Sequence, residues 1–177
     1  MLAYVFVVIA VACRLMPNAA LSNFMPVGAA LLLFGARQPR RQMWIPVALF
    51  AASDVVLSYF VYHYPLTPSQ VTSWLWYGGA ILIGGLLREN ARPARVLGAA
   101  LASSLSFFAI SNFAVWLESP ITGGMYPLTW SGLVACYTAA VPFFRHTLAS
   151  DLIFTAVFFG IAAVVDARQK SPVTIQN

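Results

Sequence analysis

The sequence predicts an all-α protein that is embedded in a membrane. Of its 177 residues, 60% are hydrophobic and only 8% are charged, whereas a soluble domain carries about 25% charged residues. The apolar residues also stand in blocks that approach the roughly 20 residues a helix needs to cross a bilayer. These observations exclude a soluble domain. They predict one transmembrane helical domain over residues 1–170, followed by a polar tail at residues 171–177.

Six apolar segments are predicted to be transmembrane helices. They are Leu2–Met16, Leu21–Ala36, Trp44–Tyr62, Val71–Leu87, Ala94–Leu117 and Thr147–Val165. The first two are short for a hydrocarbon core of about 30 Å. They would borrow flanking residues, lie in a thinned region, or form a hairpin that does not cross fully. A further apolar run, Ser131–Phe144, would reach only roughly 21 Å as a helix, so we expect a short re-entrant or interfacial helix there.

The basic residues alternate between the connections, and this alternation predicts the orientation. They follow the second, fourth and sixth segments: Arg37, Arg40, Arg41, Arg88, Arg92, Arg95, Arg168 and Lys170. Cytoplasmic loops of membrane proteins carry the excess of Lys and Arg. We therefore expect a protein of the bacterial cytoplasmic (inner) membrane with both termini in the cytoplasm. The net charge of +5 then indicates contact with the lipid bilayer and its anionic head groups, and no nucleic-acid partner is expected.

Three of the predicted helices carry a polar stripe on an otherwise apolar body. The stripes are Asp54, Ser58 and Tyr62; Ser104, Phe108, Ser111 and Asn112; and Thr147, Asp151 and Thr155. Residues four apart lie on one face of a helix, and lipid cannot satisfy such side chains, so the stripes are expected to face the bundle interior. The carboxylates are costly in a membrane and mark functional-site hypotheses.

The stretch from Leu97 to Phe144 is the best candidate for a site. Its helix is predicted to break at Ser119–Pro120 and at Gly123–Gly124, and an aromatic loop follows. Irregular backbone at membrane depth is tolerated only where it is buried in protein or lines a cavity. We therefore expect this loop to fold over an outward-facing pocket. The predicted substrate-binding residues are Asn112, Tyr126, Trp130, Tyr137 and Asp151.

A second interpretation of the polar residues stays open, in which they only hold helices together. Hydrogen bonds and an ion pair would then join the helices, with Arg14 or Arg145 opposite Asp54 or Asp151. The predicted buried polar residues are Asp54, Asn23 and Ser111.

Small residues in the apolar segments indicate close helix packing. They include Gly28, Gly79, Ala80, Gly84, Gly98 and Ala102. Most such positions pack within a chain, and a minority form a docking face for another membrane protein.

The sequence carries no catalytic signature, so no enzyme is expected. It has no Walker A loop, no HExxH and no GxSxG motif. Its two cysteines, Cys13 and Cys136, lack the spacing of a metal site or a disulfide framework. We therefore expect no metal and no cofactor.

Several phrases resemble a family of small bacterial integral membrane proteins of unknown function. They are Asn23–Ala29 (NFxPVGA), Leu33–Gly35, Ser53–Asp54, Phe107–Phe113, Met125–Pro127 (MYP), Cys136–Tyr137, Pro142–Phe144 and Asp151. The chain departs from that family at Pro17–Asn18, where Pro-His is frequent, and this departure weakens a metal or proton role there.

A fold-level likeness is to the S-components of energy-coupling-factor vitamin transporters. It implies a six-helix bundle with an outward vitamin pocket and a partner that hydrolyses ATP. Together these arguments favour a small transport protein that binds a small or vitamin-like solute, coupled to a separate ATPase module or acting alone. The alternative is a structural or assembly protein of the membrane with no small-molecule substrate.

Overall fold

The computed structural model describes residues 1–16, 24–63 and 65–170 of the chain, and these residues fold into helices and turns. The predicted all-α class is therefore confirmed for this part. The α-helices are α1 (Leu2–Leu15), α2 (Val27–Arg37), α3 (Trp44–Val56), α4 (Pro68–Gly85), α5 (Pro93–Thr122) and α6 (Trp130–Lys170). A 3-10 turn at Arg40–Gln42 precedes α3, and a π-helical stretch at Leu57–Tyr62 continues it. The predicted buried Asn23, the Pro17–Asn18 position and the tail at 171–177 lie outside the described residues.

Three of these helices are long and apolar enough to cross a membrane. The spans are Arg40–Tyr62, Pro93–Thr122 and Trp130–Gln169, and α1 and α2 are shorter apolar helices. The described residues are consistent with a membrane protein, but they do not form six clear spans. With 11 residues, α2 reaches roughly 16 Å at about 1.5 Å per residue, which is half of a hydrocarbon core.

The predicted separate helix at Ser131–Phe144 was wrong, because these residues form the first part of α6. That helix runs unbroken for 41 residues and contains Pro142. Proline removes one backbone donor and crowds the preceding turn, yet membrane helices tolerate it where neighbouring groups compensate. The predicted break at Ser119–Pro120 was also wrong, because α5 continues through Pro120 to Thr122. Helix α5 ends instead where Gly123 adopts a left-handed conformation with φ of 70°, as the C-terminal glycine of a helix often does.

The arginine-rich connections meet at one end of the bundle, which we call the arginine-rich end. Arg37 at the end of α2 pairs with Asp166 near the end of α6 at 2.7 Å, and Arg88 donates to the Gly35 carbonyl at 2.9 Å. At the opposite end, the backbone N–H of Ser69 donates to the Glu118 carboxylate at 2.6 Å. This contact joins the start of α4 to the end of α5.

Helix α2 lies in the core, where every residue from Gly28 to Gly35 is buried. It packs very closely against α4, because a Cβ atom on Gly84 would overlap the Leu32 carbonyl and one on Gly35 would overlap the Ile81 carbonyl. Glycine thus lets the two backbones touch, as in tightly packed membrane helices. Of the small residues noted in the sequence, Gly28, Ala80 and Gly84 are buried; Gly79 and Gly98 face open space.

Candidate functional site

A cavity of about 320 Å³ lies inside the bundle, and all six α-helices or their adjoining residues contribute to its wall. Its polar lining consists chiefly of Arg14, Asp54, Gln70, Ser73, Thr147 and Asp151. The contributing parts of α3 and α4 are the C-terminal part of α3 and the N-terminal part of α4. The cavity therefore lies in the half of the bundle away from the arginine-rich end.

The Asp54 carboxylate is the centre of a hydrogen-bond network on one side of the cavity. One oxygen pairs with the Arg14 guanidinium. The other accepts from Trp74 Nε1 at 2.9 Å and from the Tyr77 hydroxyl at 3.1 Å. Arg14 also donates to the Tyr77 hydroxyl at 2.8 Å. The ion pair expected under the structural interpretation thus exists between Arg14 and Asp54, and it ties α1, α3 and α4 together.

The Asp151 carboxylate lies on another side of the cavity and has fewer partners. It is 3% exposed, and its Oδ2 accepts from the Ser104 hydroxyl at 2.6 Å. Among the described residues, no cationic side chain forms an ion pair with it. Asp151 therefore differs from Asp54, because its partner is a neutral hydroxyl, whereas the partner of Asp54 is a guanidinium.

The N-terminus of α2 meets Asp151 at the cavity wall. Gly28 lies in the first turn of α2, and its Cα faces the carboxylate so closely that a Cβ would overlap it. The neighbouring Ser150 donates to the Met25 carbonyl at 2.7 Å, which fixes α6 against the residues that lead into α2. The first N–H groups of a helix carry a partial positive charge, so this placement partly compensates the buried acid.

Aromatic rings form part of the apolar wall of the cavity, beside Met25, Val27 and Leu57. Trp76 and Phe107 both line it, and their ring centroids lie 4.6 Å apart. Trp76 Nε1 donates to the Ser106 hydroxyl at 3.1 Å, so the indole is held in orientation by α5. Tyr62 and Tyr77 line the cavity as well. The cavity thus combines carboxylates with aromatic side chains.

Asp151 is the one predicted substrate-binding residue that lines this cavity together with Asp54. Ser111 and Asn112 line a smaller neighbouring cavity of about 170 Å³. The two cavities share Phe107 and Thr147, so they adjoin. In the smaller one, the Asn112 amide donates to the Phe108 carbonyl of its own helix at 2.7 Å.

The structure places the other predicted binding residues away from the cavity. Trp130 is 78% exposed, Tyr126 is half-buried, and the Tyr137 hydroxyl donates to the Ala109 carbonyl at 2.5 Å. None of these three is among the residues that line the cavity. The expectation that the loop before α6 folds over this pocket was therefore wrong. Trp116 Nε1 instead fastens the loop to the end of α5 through the Pro127 carbonyl, at 3.0 Å.

Sequence reasoning missed the contribution of α4. Gln70, Ser73 and Tyr77 line the cavity and Trp74 binds Asp54. Aromatic residues such as Trp74 and Tyr77 are common at membrane surfaces, so their presence alone does not indicate a cavity. Their spacing of three and four residues from Gln70 onward was the available signal, because such residues share one helix face.

The described part of the chain holds no group of three or more His, Cys, Asp or Glu residues that would suit a metal ion.

Comparison with protein-family models matches residues 1–174 to DUF6580, a family of unknown function. No curated protein and no solved structure matches the chain.

Proposed function

The chain belongs to DUF6580, a family of unknown function. From the geometry of its cavity, we propose that it is a small membrane transport protein. It binds a small polar or vitamin-like solute in the cavity between Asp54 and Asp151. The observation that carries this proposal is that one cavity has two carboxylates in its wall, with one of them paired to no cation among the described residues.

The energetics of membrane burial support a binding role for this cavity. An ionisable residue within a membrane is costly and usually faces a partner, a water-filled space or a transported solute. Asp54 has its partner in Arg14, whereas among the described residues Asp151 has the Ser104 hydroxyl and the start of α2 beside it. The volume of about 320 Å³ falls at the small end of ligand pockets, which measure about 300–1,000 Å³.

The position of the cavity supports an outward-facing pocket. It lies in the half of the bundle away from the arginine-rich end, and the positive-inside rule assigns that end to the cytoplasm. Both termini are then cytoplasmic. The chain carries no nucleotide-binding motif, so energy would come from a separate ATPase module, as in S-component-like transporters, or the protein would act alone as a facilitator.

The second candidate function is that of a structural or assembly protein of the membrane. The observation that favours it is the Asp54 network, in which every oxygen of the carboxylate is already occupied from within the chain. The open glycines Gly79 and Gly98 offer small-residue faces on which a membrane partner would dock.

Blocking the cavity distinguishes the two functions. In Ser73→Phe, a ring fills the cavity from α4. The matched control is Thr138→Phe, which places the same ring on the exposed face of α6, and both native hydroxyls bond the carbonyl four residues earlier. The full chain is purified in each form, and co-purified small molecules are identified by mass spectrometry.

The transport proposal expects a solute that accompanies the wild type and Thr138→Phe but is lost from folded Ser73→Phe. If all three preparations carry the same molecules, the cavity binds nothing specific and the structural function is favoured.

A further inference from the structure

The charge balance of the cavity wall indicates what kind of solute it takes. Arg14 and Asp54 form an ion pair and cancel. Among the described lining residues, Asp151 is the one remaining acid, and no second Lys, Arg or His lines the cavity. With Asp151 ionised, the wall therefore carries one net negative charge, apart from the partial positive charge at the start of α2.

Asp151 reaches the cavity without a counter-charge from the described residues. Ser104 donates to its Oδ2 and the Gly28 backbone lies against its Oδ1, while the carboxylate still lines the cavity. The two arginines that form ion pairs in the described chain have other partners. Arg14 pairs with Asp54, and Arg37 pairs with Asp166 at the arginine-rich end. A positively charged group of a solute would therefore supply the missing counter-charge.

The aromatic wall suits the same kind of group. A cation within about 6 Å of an aromatic face is attracted by the ring quadrupole, most strongly by Trp, and more so when water is excluded. Trp76 and Phe107 line the cavity together, and Trp76 is 8% exposed. A carboxylate combined with such faces favours an organic ammonium group over a hydrated metal ion, which prefers several oxygen ligands.

We propose that the cavity binds an organic cation, whose protonated amine or quaternary ammonium lies against Asp151 and within reach of the Trp76 and Phe107 rings. This inference rests on the proposed function and names the substrate class of the same cavity. The volume of about 320 Å³ would hold about ten water molecules at about 30 Å³ each. It therefore admits one small metabolite and excludes a folded peptide or a whole phospholipid.

Three probes of one skeleton test this assignment: phenethylamine as the cation, 2-phenylethanol as the neutral analogue and phenylacetate as the anion. Binding to the purified full chain in lipid nanodiscs is measured by titration calorimetry. We expect phenethylamine to bind about tenfold or more tightly than either analogue, a difference of about 1.4 kcal/mol.

Two variants and one control locate the interaction. Asp151→Asn should reduce phenethylamine affinity about tenfold or more, while Glu89→Gln, which changes an exposed carboxylate at the arginine-rich end, should leave it unchanged. Phe107→Leu keeps an apolar side chain but removes a ring, so it should weaken phenethylamine binding about threefold or more with little effect on 2-phenylethanol. Phe107→Leu keeps the test decisive where Asp151→Asn does not fold.

The outcomes separate this inference from the proposed function. If the neutral or anionic probe binds as tightly as the amine, and Ser73→Phe abolishes that binding, the cavity is a solute site but the cation assignment is overturned. If none of the probes binds, the cation assignment is overturned, and an absence of any cavity-dependent co-purified solute removes the proposed function as well.

Discussion

The Asp151 carboxylate of α6 lies against Gly28 in the first turn of α2, with no space for a Cβ atom between them. The contact brings the positive end of a half-length core helix to a buried acid. It also places that acid in the wall of the cavity that contains Asp54. One glycine thus permits both the packing of α2 and the position of the acid.

The first prediction concerns this contact. Gly28→Ala should lower the free energy of unfolding by about 1–3 kcal/mol, because overpacking a tight contact forces side chains or backbone to move. SDS-induced unfolding of the purified protein in mixed micelles measures the change. Gly98→Ala is the matched control, since a Cβ there meets open space. Alanine should leave its stability unchanged or raise it by up to about 1 kcal/mol. Equal effects of the two substitutions would contradict the Gly28–Asp151 contact.

The second prediction concerns the ion pair between Arg14 and Asp54, whose side chains are 20% and 8% exposed. Removing one partner of a buried pair costs about 3–5 kcal/mol because the other charge is left unpaired. Arg14→Met and Asp54→Asn should therefore each be strongly destabilising, and the double variant should be more stable than the sum of the single effects implies. A double-mutant cycle on the free energy of unfolding measures this coupling.

The pair at the arginine-rich end is the control for that cycle. Arg37 and Asp166 are 37% and 39% exposed, and exposed pairs contribute about 0–1 kcal/mol. The same cycle with Arg37→Met and Asp166→Asn should give a small coupling energy. A coupling between Arg14 and Asp54 that is no larger than this one would show that the buried network does not stabilise the bundle.

The third prediction concerns the contact of α2 with α4. Gly84→Ala should destabilise the protein by about 2 kcal/mol or more, because its Cβ would meet the Leu32 backbone, which cannot rotate away as a side chain does. Gly79→Ala lies in the same helix but meets nothing within 4 Å, so its thermal unfolding midpoint should match or exceed that of the wild type. A Gly84→Ala protein as stable as Gly79→Ala would show that the two backbones do not touch.

The sequence predicted the positions of the helices better than it predicted their lengths or how many of them are long enough to cross a membrane. Apolar blocks located each helix to within a few residues at most ends, since burial in lipid or core demands them. The same blocks did not reveal that Ser131–Phe144 continues into α6, because Pro142 resembles a stop signal and only the neighbouring helices allow it to remain inside. Three alternatives were open for the two short N-terminal segments, and the structure shows that α2 has 11 residues, of which Gly28 to Gly35 are all buried.

The candidate site was predictable only where a charge stood alone in an apolar run. Asp54 and Asp151 were identified because carboxylates are rare inside apolar helices, and both line the cavity. The predicted binding role of Tyr126 and Trp130 depended on the irregular backbone expected around them. An irregular backbone does not determine the direction in which a loop folds. The contribution of Gln70 and Ser73 was missed because single polar residues near a helix start also serve as caps, as Gln70 does for Thr67.

The last prediction concerns the orientation of the bundle in the membrane. The connections that carry Arg37, Arg88 and the end of α6 meet at one end, so the positive-inside rule places residue 170 in the cytoplasm and the Gly123–Thr129 loop outside. Green fluorescent protein fused after residue 170 should fluoresce in bacterial cells, because it folds in the cytoplasm. Alkaline phosphatase fused after Gly124 should be active, because it needs an oxidising compartment. Exchanging the two reporters should abolish both signals. Active phosphatase after residue 170 would reverse the orientation, and the cavity in the half opposite the arginine-rich end would then face the cytoplasm.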